Sequence, residues 1–89
     1  MREISFSSSF KRSFKKRIKG NVDLEAKFWQ KVERFTADPF DQSLKTHKLS
    51  GKLDELWSFS VDYDARVLFY FTDEGNAVFV DIGSHDEVY

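Results

Sequence analysis

The sequence contains no cysteine and only one proline. Without cysteine the chain can form neither a disulfide bond nor a thiolate metal site. Its longest apolar run, residues 67–71, is far shorter than the roughly 20 residues needed to cross a bilayer. The first residues also lack a signal-peptide pattern. These absences predict a soluble, cytoplasmic protein with no membrane anchor, which must be stabilised by its core alone.

Aromatic residues are abundant: ten Phe, three Tyr and two Trp among 89 residues. Each such side chain can bury roughly 150–250 Å². A chain of this length needs such residues, because it buries only about 60–65% of its unfolded surface on folding. We therefore expect a single domain over residues 1–89 with an aromatic core.

The net charge of −1 conceals an uneven distribution. Residues 1–52 hold 13 Lys and Arg against 6 Asp and Glu, whereas residues 53–89 hold 9 acidic residues and one basic residue, Arg66. A locally basic surface attracts polyanions such as a phosphate backbone. The simpler interpretation, a solvated basic helix face, stays open on charge alone.

The first half of the chain predicts two amphipathic helices. After a serine run that offers an N-cap, apolar residues recur every four positions: Phe6, Phe10, Phe14 and Ile18. Gly20 is expected to end this helix. A second helix, capped by Asn21 or Asp23, must end at or before Asp38 because Pro39 follows. Its apolar stripe consists of Leu24, Phe28, Val32 and Phe35.

Four strands are predicted around these helices. The first covers residues 4–6, and residues 57–61 alternate as in a strand with one buried face. Residues 66–71 are apolar on both parities, which is typical of a central strand, and a turn at 73–76 leads to a last strand at 77–82. Residues 41–52 are predicted to be a loop that crosses one edge of the sheet. The order β-α-α-β-β-β predicts an α+β fold, a largely antiparallel sheet with a two-helix hairpin on one face.

The last strand leads into a group of polar residues. Gly83 can adopt positive φ, so we expect it to turn the chain sharply off the strand. Beyond it the sequence places a histidine, two carboxylates and a phenol: His85, Asp86, Glu87 and Tyr89. These are groups that exchange protons, and the turn would hold them beyond the sheet edge.

Three phrases and the order of elements give the sequence a resemblance to the RelE/ParE superfamily. The phrases are residues 44–51 (LKTHKLSG), the strand pair at 56–62 and 66–70, and the ending 82–89 (IGSHDEVY). Within the superfamily the chain is most similar to YafQ-like messenger-RNA interferases, the toxins of type II toxin–antitoxin pairs. This implies a RelE-like fold and ribosome-dependent cleavage of messenger RNA, in which a 2′-hydroxyl attacks the adjacent phosphate without metal or cofactor.

The resemblance also implies roles for individual residues. Cleavage requires a base, an acid and a cation at the phosphate. His85 and His47 match functional histidines of the family, Arg66 matches the arginine that faces the phosphate, and Asp62 or Asp64 matches a strand-end carboxylate. Tyr89 would stack on a base, and Lys45, Lys48 and Lys52 would contact the substrate. Ser60 stands near where some relatives carry another histidine.

The implied partners are the ribosome, messenger RNA and a cognate antitoxin. An acidic antitoxin segment would bind the outer face of the first helix, which carries Lys11, Arg12, Lys15 and Lys16. One alternative keeps the fold without catalysis, as a ParE-like toxin that binds a protein such as DNA gyrase. Another is a general RNA-binding domain. Arg66 also has a structural alternative, a surface salt bridge to Asp62 or Asp64.

Overall fold

Five strands form one sheet in the order β1-β5-β4-β3-β2, as seen in a computed structural model that describes residues 2–49 and 55–84. The elements follow the chain as β1 (Ile4–Phe6), α1 (Ser8–Arg17), α2 (Val22–Ala37), β2 (His47–Lys48), β3 (Trp57–Ser60), β4 (Ala65–Phe71) and β5 (Ala77–Ser84). β1 is parallel to β5, and the other neighbours are antiparallel. The predicted α+β fold with a largely antiparallel sheet is confirmed.

β4 is the central strand, as its apolar residues predict. Val67 and Phe69 are completely buried in the core beneath the helices, and Leu68 between them is 5% exposed although it points to the opposite face. β4 is therefore buried on both faces at its centre. The β4–β5 pairing carries a bulge at Leu68/Phe69, where β5 has one extra residue.

Side-chain caps fix the start of both helices. The Ser7 hydroxyl accepts a hydrogen bond from the Phe10 N–H at the start of α1, and the Asn21 side chain accepts one from the Leu24 N–H at the start of α2. The first helix ends at Arg17, earlier than predicted, and Gly20 takes a φ of 97° in the turn that follows. The second helix ends at Ala37, two residues before Pro39.

The helices pack on one face of the sheet through phenylalanines. The Phe35 ring of α2 lies 5.2 Å from the Phe59 ring, 4.9 Å from Phe69 and 5.5 Å from Phe79, measured between centroids. These four rings are completely buried. The predicted helical hairpin with an aromatic core is thus confirmed.

Three local predictions are wrong. The described part of the predicted loop contains a short 3₁₀ helix, Gln42–Leu44, and then β2, which pairs with β3. β3 has more than one buried face, since Ser58 is 0% and Ser60 9% exposed. Gly83 does not turn the chain, because β5 continues through it to Ser84 and pairs with β4 along its whole length.

α1 covers the part of the β5 edge that β1 leaves open. β1 pairs only as far as Phe79. Beyond that point, the Ser9 hydroxyl donates to the Val80 carbonyl at 2.7 Å, and Arg17 Nη1 donates to the Ile82 carbonyl at 3.1 Å. Exposed strand edges invite pairing with other chains, so these contacts protect β5.

Neither helix in the described residues has the length and apolar character required to span a membrane.

Candidate functional site

The candidate site lies at the sheet end where β3 runs into β4. In the strand register, Arg66 is aligned with Ser60 of β3 on one side and with Gly83 of β5 on the other. Its neighbour Ala65 is aligned with Ser84. β5 extends to Ser84, which directly precedes His85 in the sequence. The end of β5 therefore lies beside the start of β4.

The turn that joins β3 and β4 is held by the Asp62 side chain. Its Oδ1 atom accepts hydrogen bonds from the backbone N–H groups of Asp64 at 3.1 Å and Ala65 at 2.9 Å. The Val61 N–H donates to the Ala65 carbonyl at 2.9 Å. Arg66 Nη1 adds a bond of 2.8 Å to the Asp62 carbonyl. Asp62 thus has a structural role in the turn, and of the two candidate carboxylates only Asp64 is exposed.

A cavity of roughly 470 Å³ opens beside this turn. Three cations from three separate segments line it: Lys31 of α2, Lys45 after the 3₁₀ helix, and Arg66 of β4. The remaining polar lining includes Ser43, Ser60, Asp62 and Asp64. An arrangement with three cations around an open cavity can bind a phosphate group.

Lys31 is a site residue that the sequence interpretation missed. Its Nζ donates to the Ser43 carbonyl at 3.0 Å, which holds the side chain toward the cavity. Ser43 is itself fixed, because its N–H and hydroxyl both donate to Asp41 Oδ1, at 2.9 and 2.7 Å. These hydrogen bonds, the hydroxyl's first, lower the pKa of Asp41. The available signal was the helical position of Lys31, three residues after Phe28 and four before Phe35, next to the buried stripe.

The other candidate residues lie elsewhere or outside the described ranges. His47 and Lys48 are exposed on β2, the edge strand, and are aligned with Ser58 and Trp57. His47 Nδ1 is 3.1 Å from the Lys45 carbonyl, next to the cavity. Lys52, His85 and Tyr89 lie outside the described residues. Within residues 2–49 and 55–84, no group of three His, Asp or Glu side chains is arranged to hold a metal ion.

A second surface is formed by the two helices. The predicted antitoxin-binding residues Lys11, Arg12, Lys15 and Lys16 are all exposed on α1. Two of them, Lys11 and Lys15, join Lys19 along an apolar groove of roughly 360 Å³ between the helices. Its floor is aromatic: Phe6, Phe10, Phe14, Phe28 and Trp29. Trp29 leaves 49% of its surface exposed there.

The same fold occurs in solved toxin structures. A metal-bound toxin from Helicobacter pylori has 24% sequence identity and a TM-score of 0.79, with 100% of both chains covered. A YoeB/ParE toxin from Agrobacterium tumefaciens has 15% identity and a TM-score of 0.76, covering 96% of this chain and 99% of that one. A chain of the Escherichia coli DinJ-YafQ toxin-antitoxin complex has 20% identity and a TM-score of 0.71, covering 99% and 97%. No curated protein sequence matches significantly.

These neighbours show that the chain has the fold of RelE-like toxins. The model of one family, the YafQ bacterial toxins of type II toxin-antitoxin systems, matches residues 2–89. The chain therefore belongs to the YafQ toxin family, as the sequence resemblance predicts.

Proposed function

We propose that this toxin is an endoribonuclease that cleaves messenger RNA on the ribosome. In the proposed reaction a 2′-oxygen loses its proton to a base and forms a bond to the adjacent phosphorus. The bond to the 5′-oxygen breaks, and that oxygen takes a proton from an acid, which leaves a 2′,3′-cyclic phosphate. Side chains can fill the base, acid and cation roles, so the mechanism requires no metal ion.

The observation that supports this function best is the alignment of β4 with the end of β5. Arg66 lies opposite Gly83, and Ala65 lies opposite Ser84, the residue before His85. The proposed pair is His85 as one of the two proton-transfer groups and Arg66 as the cation at the phosphate. A guanidinium suits this task because it stays charged and donates through two parallel N–H groups.

The lysines of the cavity extend the same proposal. Lys31 and Lys45 line the space next to Arg66 and would neutralise phosphates that flank the scissile one. His47, which lies close to the Lys45 carbonyl, would be the second proton-transfer group, and Asp64 would orient one of the histidines. Lys48 and Lys52 would contact the substrate backbone, and Tyr89 would stack on a base.

The proposed partner that silences the toxin is a cognate antitoxin, as in the E. coli DinJ-YafQ complex. The groove between α1 and α2 has an aromatic floor and basic residues along one side. An antitoxin segment with apolar residues on one face and acidic residues beside them would match both features. Such a segment would fold as it binds.

Induced expression of the parent and of His85→Ala, followed by mapping of messenger-RNA 5′ ends, tests the catalytic proposal. The parent should create new 5′ ends within translated messages. His85→Ala should remain folded and bind the antitoxin, with cleavage reduced by at least about 10²-fold, the lower end for one acid–base group. Parental cutting by a folded His85→Ala protein would remove His85 from the mechanism. Growth arrest without cutting in both proteins would favour the gyrase-binding alternative.

A further inference from the structure

The most exposed large apolar side chain in the described residues is Tyr63, at 96% exposure. It stands in the β3–β4 turn and borders the cavity that Lys31, Lys45 and Arg66 line. A tyrosine ring has a large hydrophobic face, and leaving it in water forgoes the stabilisation that burial would give. Its position beside three cations suggests that it is covered when the cavity is occupied.

The turn presents this ring on a fixed backbone. The residues on either side of Tyr63 are joined to each other, because the Asp64 N–H donates to the Asp62 carboxylate. Arg66 fixes the Asp62 carbonyl from the strand that follows. A ring on a pre-ordered backbone loses less conformational entropy on binding than a ring on a mobile loop, so it favours binding.

We propose that Tyr63 is a stacking platform for an RNA base whose phosphates occupy the neighbouring cationic cavity. This inference rests on the proposed ribonuclease function and adds a base-contacting residue to it. Single-stranded nucleic acid presents flat apolar bases attached to a charged backbone, and proteins bind it by combining aromatic platforms with cations. Tyr63 and the cavity supply both elements within one surface.

The two carboxylates of the turn do not oppose this assignment. Oδ1 of the Asp62 carboxylate accepts two backbone N–H groups of the turn. Asp62 and Asp64 together place two negative charges in the lining, against the three positive charges of Lys31, Lys45 and Arg66. The cavity therefore keeps an excess of positive charge for a phosphate, whereas an acidic protein segment would leave the exposed phenol ring without a specific role.

Binding of short single-stranded RNA tests the proposal with the full chain. The oligonucleotides carry 2′-O-methyl groups, which remove the attacking hydroxyl, so the parent protein can be used without cleavage. Fluorescence anisotropy should show that Tyr63→Ala weakens binding by about 5- to 150-fold, the range for one stacked base, whereas Tyr63→Phe stays close to the parent. Tyr70→Ala is the matched control, because Tyr70 is 40% exposed at the other end of β4 and should not alter binding.

Abasic substitution shows whether the ring contacts a base. A set of oligonucleotides, each lacking one base, should contain one member that the parent and Tyr63→Ala bind equally, since the stack is already absent. The proposal would be overturned if Tyr63→Ala bound every one of these oligonucleotides more weakly than the parent by the same factor. Equal affinity of the parent and Tyr63→Ala for the intact RNA would also overturn it. A parent that binds no oligonucleotide would also overturn it. Loss of antitoxin binding instead of RNA binding would assign the ring to the protein interface.

These outcomes separate the inference from the proposed function. If messages are cut in cells but Tyr63→Ala cuts and binds like the parent, the stacking proposal alone fails. If Tyr63 governs RNA binding but no message is cut by the parent, the nuclease proposal fails and the RNA-contact assignment of Tyr63 stands.

Discussion

The guanidinium of Arg66 donates its hydrogen bond to the backbone carbonyl of Asp62, at 2.8 Å, and not to the Asp62 carboxylate. No ion pair to Asp62 or Asp64 accompanies it among the described residues. The salt-bridge interpretation of Arg66 is therefore wrong for this structure. A carbonyl carries no net charge, so this hydrogen bond does not neutralise the guanidinium, and Arg66 can still attract a phosphate.

Two replacements of Arg66 should separate the contribution of its positive charge to cleavage from that of its planar geometry. We expect Arg66→Ala to lower cleavage by about 10²–10³-fold, as for loss of one donor to a developing negative charge. Arg66→Lys keeps the charge but lacks the planar guanidinium, so its cleavage rate should lie between those of the parent and Arg66→Ala. Single-turnover cleavage of messages on ribosomes would measure this, with thermal unfolding as the check that both variants fold. Equal rates for parent and Arg66→Ala would contradict the assignment.

Substitutions of the two turn aspartates should have different effects. Asp62→Ala removes the acceptor of two backbone N–H groups and should lower the free energy of unfolding by about 1–2 kcal/mol. Asp62→Asn keeps an oxygen acceptor and should lose less. Asp64→Asn should leave stability near the parental value and reduce cleavage instead. Urea unfolding and cleavage rates check the pattern, and an Asp62→Asn protein of full stability without activity would give Asp62 a chemical role as well.

The proposal that an antitoxin binds the groove between α1 and α2 can be tested with two matched charge reversals on α1. Lys11→Glu with Lys15→Glu changes the groove side, whereas Arg12→Glu with Lys16→Glu makes the same charge change outside the groove lining. We expect the first pair to weaken antitoxin binding more than the second. The difference should decrease as salt concentration rises. Calorimetric titration with the cognate antitoxin measures both pairs, and equal effects would show that only overall charge matters.

Asp41 should make stability depend on pH. Hydrogen bonds from Ser43 lower the pKa of its carboxyl below the ordinary value of about 3.8. A group whose pKa is lower in the folded state stabilises the protein above its unfolded pKa and loses that contribution as pH falls through the folded value. Asp41→Asn should therefore be less stable than the parent near neutral pH, and the difference should shrink below about pH 4. Urea unfolding across this range provides the measurement.

The sequence could predict those elements whose signals are local. Ser7 and Asn21 cap helices through residues three positions away, and Pro39 limits α2 by the geometry of its own ring. The central place of β4 could be predicted because its apolar residues occupy both parities. β2 could not, since two residues are too few for a period and their pairing depends on β3, ten residues away.

The composition of the cavity was beyond sequence analysis for a related reason. Lys31 and Arg66 are 35 positions apart in the sequence and line one cavity only because α2 packs on the sheet. The extension of β5 through Gly83 also depends on a partner, since Arg66 on β4 supplies the pairing that keeps the strand straight. The local preference of glycine for turns is therefore outweighed by strand pairing with residues that are distant in the sequence.

The parallel pairing of β1 with β5 sets the order of events during synthesis. Ile4 is aligned with Ala77, and the flanking hydrogen bonds join residues 73 positions apart. During translation β1 cannot pair before the segment that includes β5 has been synthesised. Even then, the entropic cost of closing so long a loop opposes the contact. The end of β5 also borders Arg66, so the sheet and the site are completed together.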